Sequence, residues 1–490
     1  MNQTKTKRSA GLSILCIFLL GIGMLSFFSA RWYVSTYGRI GFDSILFTLS
    51  AALEGVQSGL VTRYLLKAAL PALALTAVAS VLFCFCKKKF PLGVRWVSMV
   101  LAVVLILLAA FDVELPQYIA AQLAETQLYE DHYADPADVS ITFPDEKRNL
   151  IYIMMESMEI SYLSKELGGA MEENLIPELY DLAQEGLCFS HSNADVGGFY
   201  TTAGATWTIG SMVAQTAGIP LKTPTEDVNQ YGASGEAFLP GVTSLTNILH
   251  DAGYYQALMV GSDASFGGRE PYFLQHGMDE VLDVYTARRD GIIPNDYFVW
   301  WGMEDMHLFA YAEQELTRIS QLGQPFAFTM LTVDTHHVGG YQCELCRESV
   351  SGETYDQSIS CSSRQVVEFV RWLEDQPYYD NTTIILVGDH ESMDNGYFSR
   401  NVDADYQRLL YNCFINADAT PVRTHNRQYA AIDLLPTTLA AMGCKIEGER
   451  LGLGVNLFSP LPTLTEKMGF EKLNEELAKA SDYYEANFFE

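Results

Sequence analysis

Three long apolar segments near the N-terminus constrain the fold of this chain more than any other feature. They are residues 12–28, 68–86 and 97–111. None of them contains a charged side chain, and each approaches the roughly 20 residues that an α-helix needs to cross a bilayer. Residues 40–56 are also apolar but include Asp43 and Glu54, so we expect this stretch to lie at the membrane interface. The sequence therefore predicts a transmembrane domain of about three spans within residues 1–113.

Basic residues beside these segments predict how the segments are oriented. They precede the first segment and fill the loop between the second and the third: Lys5, Lys7, Arg8, Lys87, Lys88, Lys89 and Arg95. Because loops rich in Lys and Arg stay in the cytoplasm, three spans place everything after Asp112 outside the cell. A cleaved signal peptide is the alternative for the first segment. No small-x-small cleavage site follows it, so we expect an uncleaved anchor.

The net charge excludes one class of partner. The chain has 490 residues, of which 31 are basic and 60 are acidic, and its formal charge is −29. Nucleic-acid binding needs stripes of Lys and Arg against the phosphates, so no nucleic-acid partner is expected. Broad electrostatic adhesion to anionic lipid is disfavoured for the same reason. An anionic substrate would have to be held by a few local cations or by a metal ion.

Six cysteines lie beyond the apolar segments, on the side that is expected to be oxidising. They are Cys188, Cys343, Cys346, Cys361, Cys413 and Cys444. An even number there permits disulfides. The spacing of Cys343 and Cys346 also suits zinc, but the second pair of a typical zinc site is missing. We therefore favour a disulfide from Cys361 to Cys343 or Cys346, and the remaining connectivity is open.

The rest of the chain has the pattern of an α/β protein. Residues 114–147 form a polar connector with helical stretches, and short aliphatic runs then alternate with helical patterns over residues 148–460. This alternation is typical of a mostly parallel central sheet. Residues 461–490 have the composition of an exposed acidic helix. We expect N-terminal transmembrane helices, then an extracellular α/β domain, then a helical tail.

Three of the aliphatic runs stop at carboxylates and imidazoles. The runs are NLIYIMMESME, FAFTMLTVDTHH and TTIILVGDHES, and the polar residues that end them are Glu156, Asp334, His336, His337, Asp389, His390 and Glu391. In open α/β sheets, ligands bind at the carboxyl ends of the strands, so these side chains should meet in one crevice. Oxygen ligands with an imidazole suit Mn²⁺, Mg²⁺ or Zn²⁺. The alternative is that each strand simply ends in a polar loop. That alternative could account for one such strand end, but it accounts less well for three strand ends with the same residue types.

A Gly-rich turn supplies candidate nucleophiles. Residues 197–221, GGFYTTAGATWTIGSMVAQTAGIPL, contain four threonines before or at the start of a helical pattern: Thr201, Thr202, Thr206 and Thr208. A hydroxyl at a helix start lies near free backbone N–H groups, which favour an anionic oxygen and an incoming phosphate. It becomes a good nucleophile only when a base or a metal lowers its pKa. A helix-capping threonine without chemistry is the alternative.

Several motifs, in order, carry a family resemblance. They are YIMMES, WTIGSMVAQTAGIPL, TVDTHH, GDHESMDN, and AAIDLLPTTLAAMG followed by LGLGVNLFS. Together with the apolar segments, they make nearly the whole chain resemble the membrane-anchored phosphoglycerol transferases. That group includes lipoteichoic acid synthases and periplasmic glucan phosphoglycerol transferases, within the sulfatase and alkaline phosphatase superfamily. The resemblance implies a multi-pass protein of a bacterial cell membrane, with its catalytic domain on the extracellular or periplasmic side.

The same resemblance implies roles for individual residues. Motif by motif, these are the metal ligands Glu156, Asp389 and His390, the nucleophile and further metal ligand Thr208, and the substrate-binding residues Arg269 and His336. The implied cofactor is one divalent ion, with Mn²⁺ favoured over Mg²⁺ or Zn²⁺. The neighbouring Asp334, His337 and Glu391 are expected to support the site rather than bind the ion. Gly267 and Val338 depart from the family, where tryptophan and proline occur, so the glycerol subsite is open to change.

The implied reaction moves glycerophosphate from phosphatidylglycerol, through a phosphothreonine, to an extracellular glycan, glycolipid or polyglycerolphosphate acceptor of the teichoic-acid type. Phosphoethanolamine transfer, or cleavage of another phosphodiester, is the alternative that uses the same metal residues. Sulfatase activity is disfavoured, because residues 208–211 lack the Cys/Ser-x-Pro-x-Arg sequence that sulfatases modify. A catalytically inactive receptor is a third alternative, and it is disfavoured because the nucleophile and every implied ligand are present.

Overall fold

The computed structural model describes residues 2–39, 41–50, 58–222, 237–348 and 352–489. The chain divides into two compact units. The first, called the helical unit here, comprises Met1–Phe42 and Leu53–Ala120. The second, called the sheet unit, comprises Asp43–Ala52 and Ala121–Glu490.

Long apolar helices make up most of the helical unit. The first six helices of the chain are α1 (Asn2–Tyr37), α2 (Phe42–Ser50), α3 (Ser58–Tyr64), α4 (Leu70–Lys87), α5 (Pro91–Asp112) and α6 (Leu115–Gln122), with a π-helical turn at Leu65–Ala69. Among the described residues, three stretches are long and apolar enough to cross a membrane, namely Gly11–Tyr37, Val61–Lys87 and Pro91–Asp112. Most of their large apolar side chains are exposed. The predicted number of candidate spans is therefore found. Of the stretch predicted to be interfacial, residue 40 and residues 51–56 lie outside the described part of the chain.

Two contacts hold α1 against α5. A Cβ atom on Gly23 of α1 would lie 2.9 Å from the carbonyl oxygen of Ala102, so glycine is what allows the two backbones to approach this closely. Nearer one end of the pair, Arg31 Nε lies 3.1 Å from Asp112 Oδ2. Small residues at helix crossings are the usual means of packing helices in an apolar environment.

The sheet unit contains nearly all of α2, the strands and the remaining helices. The strands are β1 (Ile141–Thr142), β2 (Asn149–Met155), β3 (Gly198–Phe199), β4 (Tyr255–Val260), β5 (Glu280–Leu282), β6 (Phe326–Leu331), β7 (Thr382–Gly388), β8 (Leu410–Ile415), β9 (Lys445–Ile446), β10 (Arg450–Leu451) and β11 (Gly454–Val455). The helices are α7 (Leu128–His132), α8 (Pro177–Glu185), α9 (Thr208–Ala217), α10 (Leu245–Asp251), α11 (Arg269–Gln275), α12 (Val284–Arg289), α13 (Asp305–Ile319), α14 (Thr354–Glu374), α15 (Asn395–Asn401), α16 (Leu434–Ala441), α17 (Leu464–Met468), α18 (Phe470–Ala478) and α19 (Asp482–Phe488).

A seven-stranded sheet with the order β3-β8-β7-β2-β6-β4-β5 forms the centre of this unit. Strands β7, β2, β6, β4 and β5 are parallel, and β8 is antiparallel to β7. Every residue of β2, β6 and β7 is buried, as expected of parallel strands that are covered on both faces. The predicted α/β fold with a mostly parallel sheet is confirmed. The register pairs Met155 with Gly388, so the residues that follow β2 and β7 leave the sheet side by side.

The C-terminal tail differs from the prediction of an exposed acidic helix. It forms three short helices, α17, α18 and α19, rather than one. Leu473, Leu477, Tyr484 and Phe488 are all buried and belong to the core of the sheet unit. Tyr129 of α7 packs against the last two of these, with ring centroids 5.6 and 5.9 Å apart. The acidic residues lie on the outward side of an amphipathic segment, which is why composition alone was misleading.

The disulfide predicted from Cys361 is also absent. All cysteines of the chain are free thiols in the described residues. The sulfurs of Cys343, Cys346 and Cys361 lie close together but at separations far beyond that of a bond, since their shortest distances are 3.7 and 3.8 Å.

Candidate active site at the carboxyl ends of the strands

Three buried ionisable side chains meet just beyond β2 and β7. Glu156 follows β2, and Asp389 and His390 follow β7. One ligand atom from each lies within 4.8 Å of the others, and the side chains are 2%, 0% and 1% exposed. Burying two carboxylates together is costly unless a cation is present. The predicted convergence of strand ends is confirmed for β2 and β7, whose following residues form this group.

The orientation of the three side chains suits a metal ion. Asp389 Oδ1 accepts hydrogen bonds from the backbone N–H groups of Ser157 and His390, both at 2.7 Å. Asp389 Oδ2 is buried and has no hydrogen-bond donor among the described residues. His390 Nδ1 lies 2.9 Å from the carbonyl oxygen of Glu391, so Nδ1 carries the proton. The Nε2 lone pair of His390 then faces Glu156 Oε1 at 3.7 Å and Asp389 Oδ2 at 3.4 Å.

Burial and mutual repulsion set the protonation of this cluster. Burial raises the pKa of Glu156. Burial, reinforced by the charge of Glu156, raises the pKa of Asp389 to about 7. Burial alone would lower the pKa of His390, but the carboxylates of Asp389 and Glu156 raise it overall. Without a cation, the three groups therefore hold protons in common near neutral pH. A cation that binds there must displace those protons.

This protonation predicts a pH dependence of metal binding. The Asp389 carboxyl has its pKa raised to about 7, so it is largely protonated at pH 6 and must lose that proton to bind an ion. We expect a divalent ion to bind at least about tenfold more tightly at pH 8 than at pH 6. Competition with a fluorescent chelator measures the two dissociation constants. Equal affinity at both values would contradict the assignment of Asp389 as a ligand.

Thr208 is the first residue of α9, and its hydroxyl faces the cluster. Its Oγ1 lies 3.4 Å from His390 Nε2. Polar contacts fix this helix to the end of β7. Ser211 donates a hydrogen bond to the carbonyl of Asp389, and Gln215 Nε2 donates to the carbonyl of Gly388 at 3.2 Å. The start of α9 therefore presents a hydroxyl and free N–H groups at the place where the carboxylates meet.

Arg269 brings a guanidinium group to the same crevice. It follows β4 and begins α11, and only 5% of the residue is exposed. Its Nη2 donates to Ser262 Oγ at 3.0 Å, and its Nε donates to the carbonyl of Phe266 at 3.0 Å. Burial lowers the pKa of Arg269 to about 10, which still leaves it charged at pH 7. Asp263 and Glu156 are the acidic groups that oppose this lowering of the pKa most strongly.

His336 lies in the loop that follows β6. Its Nδ1 is 2.7 Å from the carbonyl oxygen of His337, and its ring lies 4.6 Å from that of Trp301 and 4.4 Å from that of His337. Burial lowers the pKa of His336 to about 4, so the imidazole is neutral at pH 7. With the proton on Nδ1, Nε2 is an acceptor. His336 is therefore better suited, in this state, to accept a hydrogen bond than to donate a proton.

The remaining polar residues of the strand ends lie outside the metal-ligand group. Glu391 Oε2 lies 3.8 Å from Arg408 Nε. Asp334 is buried without a hydrogen bond to its carboxylate among the described residues. His337 stacks on His336. None of the three belongs to the group of possible metal ligands, and their supporting role stays a prediction.

Two features of the site have no signal in the sequence. Trp301 stands between His336 and Phe266, with ring centroids 4.6 and 5.8 Å away, and forms an aromatic wall beside the Arg269 segment. Glu159 is a buried carboxylate that binds Arg408, 249 residues further along the chain, and accepts the N–H of Ser392 at 2.8 Å. That pair holds the loop that follows His390.

Comparisons with known proteins identify relatives of this chain. The sequence model of the sulfatase family matches residues 148–444. The chain is similar to phosphoglycerol transferase I of Xanthomonas axonopodis pv. citri (strain 306), with 31% identity over 340 residues, 65% of this chain and 46% of the relative. It is similar to phosphoglycerol transferase I of Salmonella choleraesuis (strain SC-B67), with 30% identity over 457 residues, 89% of this chain and 56% of the relative. The chain thus spans about half the length of the curated relatives it matches.

A solved structure has the same fold over most of the chain. It is the integral membrane protein lipooligosaccharide phosphoethanolamine transferase A from Neisseria meningitidis. The two structures superpose with a TM-score of 0.53 at 14% sequence identity, covering 88% of this chain and 84% of that chain. At this level of identity the likeness establishes the fold alone.

Proposed function

The chain belongs to the sulfatase family, and we propose that it is a membrane-anchored, metal-dependent phosphoglycerol transferase. One observation carries the proposal. The Thr208 hydroxyl opens a helix 3.4 Å from His390 Nε2, beside the buried carboxylates of Glu156 and Asp389. This is the arrangement of a nucleophile activated for phosphoryl transfer. The curated relatives named phosphoglycerol transferase I support the choice of phosphoglycerol as the transferred group.

The donor set supports one divalent ion as the cofactor. Glu156, Asp389, His390 and the hydroxyl of Thr208 would hold it, with Asp389 Oδ2 and His390 Nε2 available as described above. Three oxygens and one imidazole fit Mn²⁺ best, with Mg²⁺ or Zn²⁺ as alternatives. Such an ion, when bound, lowers the pKa of a coordinated hydroxyl and offsets the charge of a phosphate.

The reaction we propose has two steps. In the first, Thr208 Oγ1 gives up its proton to solvent and attacks the phosphorus of phosphatidylglycerol, the bond from phosphorus to the diacylglycerol oxygen breaks, and that oxygen takes up a proton as diacylglycerol leaves. In the second, an acceptor hydroxyl gives up its proton and attacks the phosphorus of the glycerophospho-threonine, the bond from phosphorus to Thr208 Oγ1 breaks, and Oγ1 takes up a proton. Arg269 binds the phosphate oxygens, because a planar guanidinium matches two of them at once. His336 Nε2 accepts a hydrogen bond from a glycerol hydroxyl.

The apolar helices support a lipid donor. Three candidate spans would hold the enzyme at the membrane surface where phosphatidylglycerol resides. The basic loop between the second and third segments supports a catalytic domain on the extracellular or periplasmic side. The acceptor we propose is a glycan, a glycolipid or a growing polyglycerolphosphate chain on that side of the membrane.

Replacing Arg269 with lysine tests phosphate binding. Lysine keeps a positive charge but loses the paired N–H groups, so we expect Arg269→Lys to lower kcat/KM about 100-fold or more. The rate of diacylglycerol release from phosphatidylglycerol vesicles is the measurement. Arg289→Lys is the matched control, because Arg289 is an exposed arginine paired with Asp290 and should leave the rate unchanged. Equal rates for the two variants would contradict a role of Arg269 in binding the phosphate.

The donor is tested with two labelled lipids. Purified protein is incubated with vesicles containing phosphatidylglycerol or phosphatidylethanolamine, each labelled in its acyl chains. We expect diacylglycerol from phosphatidylglycerol alone. Diacylglycerol from phosphatidylethanolamine alone would instead make the chain a phosphoethanolamine transferase with the same fold and metal residues.

A further inference from the structure

A second group of potential metal ligands lies apart from the strand-end cluster. It consists of Cys343 and Cys346, in the segment that follows His337, and Cys361 on α14. All three are buried, with at most 6% exposed. Cys343 Sγ lies 3.7 Å from Cys346 Sγ and 3.8 Å from Cys361 Sγ, and all three sulfurs lie within 4.8 Å of one another.

These separations fit sulfurs around a common ion. In a tetrahedral zinc site with bonds of about 2.3 Å, neighbouring sulfurs lie about 3.8 Å apart. A disulfide needs a separation of about 2.05 Å and joins only two sulfurs, which would leave the third cysteine buried without a partner in this cluster. Three converging thiols are thus explained better by one ion than by one covalent bond.

Hydrogen-bond donors surround the sulfurs. Gln365 Nε2 lies 3.3 Å from Cys361 Sγ and 3.8 Å from Cys343 Sγ. Arg364 Nη2 lies 3.7 Å from Cys361 Sγ and supplies a positive charge. Donors and a cation around sulfur stabilise thiolates, the form that binds a metal, and hold the ligands in place.

We propose that Cys343, Cys346 and Cys361 bind a zinc ion as three thiolates, with a water molecule as the fourth ligand. The three thiols release their protons to solvent when the ion binds. Thiolate ligands select zinc over the hard ions that suit the carboxylates of the strand-end cluster. The proposal is independent of the reaction proposed above, because none of the three cysteines takes part in it.

The ion would hold the His336 loop against α14. Between the loop and the cysteines, the N–H of Tyr341 donates to the carbonyl of Asp334 at 2.7 Å. On the other side, Ser358 Oγ of α14 donates to the carbonyl of Tyr341 at 2.9 Å. Zinc would add a bridge between Cys343 and Cys361 across the same junction. The predicted role is therefore structural, in the segment that carries His336.

Metal analysis of full-length protein tests the site. The Asp389→Ala/His390→Ala variant is used so that the strand-end cluster binds no metal. It is purified in detergent without chelator, and its zinc content is measured by inductively coupled plasma mass spectrometry. We expect one zinc ion per chain. Adding Cys361→Ser should remove it, whereas adding Cys444→Ser, a buried cysteine outside the cluster, should not.

A second measurement needs no cysteine variant. Cobalt is added to the Asp389→Ala/His390→Ala protein after removal of zinc, and sulfur-to-cobalt charge-transfer absorption is expected. In parallel, unreduced protein is denatured with chelator, alkylated and digested. Alkylation of Cys343, Cys346 and Cys361 in the same sample would agree with the site. A disulfide-linked peptide containing Cys343, without zinc or the cobalt absorption, would overturn it.

Discussion

Thr208→Ala should abolish diacylglycerol release from phosphatidylglycerol. The variant removes the hydroxyl that lies 3.4 Å from His390 Nε2 and leaves the buried ligands unchanged. Loss of a nucleophile that forms a covalent intermediate costs about 10⁴-fold or more in rate, because an alanine side chain cannot form that intermediate. Alanine is also a good helix former, so α9 should keep its structure. The measurement is the initial rate of release at saturating lipid and Mn²⁺.

Two variants make this result specific. Thr206→Ala removes a hydroxyl from the same turn, two residues before the nucleophile, and should retain activity. Thr208→Ser restores a hydroxyl at the same position and should recover part of the rate. Metal binding by Thr208→Ala should persist, because Glu156, Asp389 and His390 remain. Full activity of Thr208→Ala would reject the two-step mechanism.

His390→Ala should remove both metal binding and activity. His390 is the nitrogen ligand that we propose, and its Nε2 lies 3.7 Å from Glu156 Oε1 and 3.4 Å from Asp389 Oδ2. Its loss removes the imidazole whose charge lowers the pKa values of Glu156 and Asp389, so these buried carboxylates take up protons more readily and bind an ion less well. We expect metal affinity to fall by more than the roughly 10- to 100-fold that the loss of a supporting residue causes.

Glu391→Gln is the matched control for the metal experiment. Glu391 is adjacent to His390 in the sequence, but its carboxylate faces Arg408 rather than the cluster. Glutamine keeps the shape of the side chain, so we expect a much smaller loss of metal affinity than for His390→Ala. Equal losses for His390→Ala and Glu391→Gln would show that the experiment reports folding rather than coordination.

The strand-end cluster could be predicted from the sequence because its geometry follows from topology. Parallel strands direct their carboxyl ends to one edge of the sheet, so Glu156 and Asp389 were expected to meet although 233 positions separate them in the sequence. The residues just before them, Met155 and Gly388, are paired in the sheet. The apolar spans were predictable for a similar reason, since a continuous apolar stretch of bilayer length has few other uses.

The position of Thr208 could not be derived in this way. Four threonines occupy the Gly-rich turn, and the one that faces the cluster is selected by contacts of α9. Ser211 and Gln215 bind the carbonyls of Asp389 and Gly388, far along the chain, and no local pattern predicts that pairing. The family resemblance, rather than spacing, singled out Thr208 in the sequence.

Two errors have plain physical causes. In the tail, Leu473 and Leu477 are four residues apart and pack on one face of α18, but the surrounding acidic residues suggested full exposure. The cysteine prediction relied on the compartment, which favours disulfides, whereas the sulfurs converge as a group of three. For the tail, the periodicity of the apolar side chains was a better guide than composition. For the cysteines, the arrangement in three dimensions was a better guide than the expected compartment.

The most direct test of the proposed mechanism is mass spectrometry of full-length protein incubated with phosphatidylglycerol and Mn²⁺, quenched in acid before an acceptor is added. The peptide that contains Thr208 is then sequenced by fragmentation. The mechanism predicts a glycerophosphate group on Thr208 that forms with phosphatidylglycerol, requires the ion and disappears when an acceptor is supplied. Diacylglycerol release without modification of Thr208, or a glycerophosphate on another residue, would contradict it.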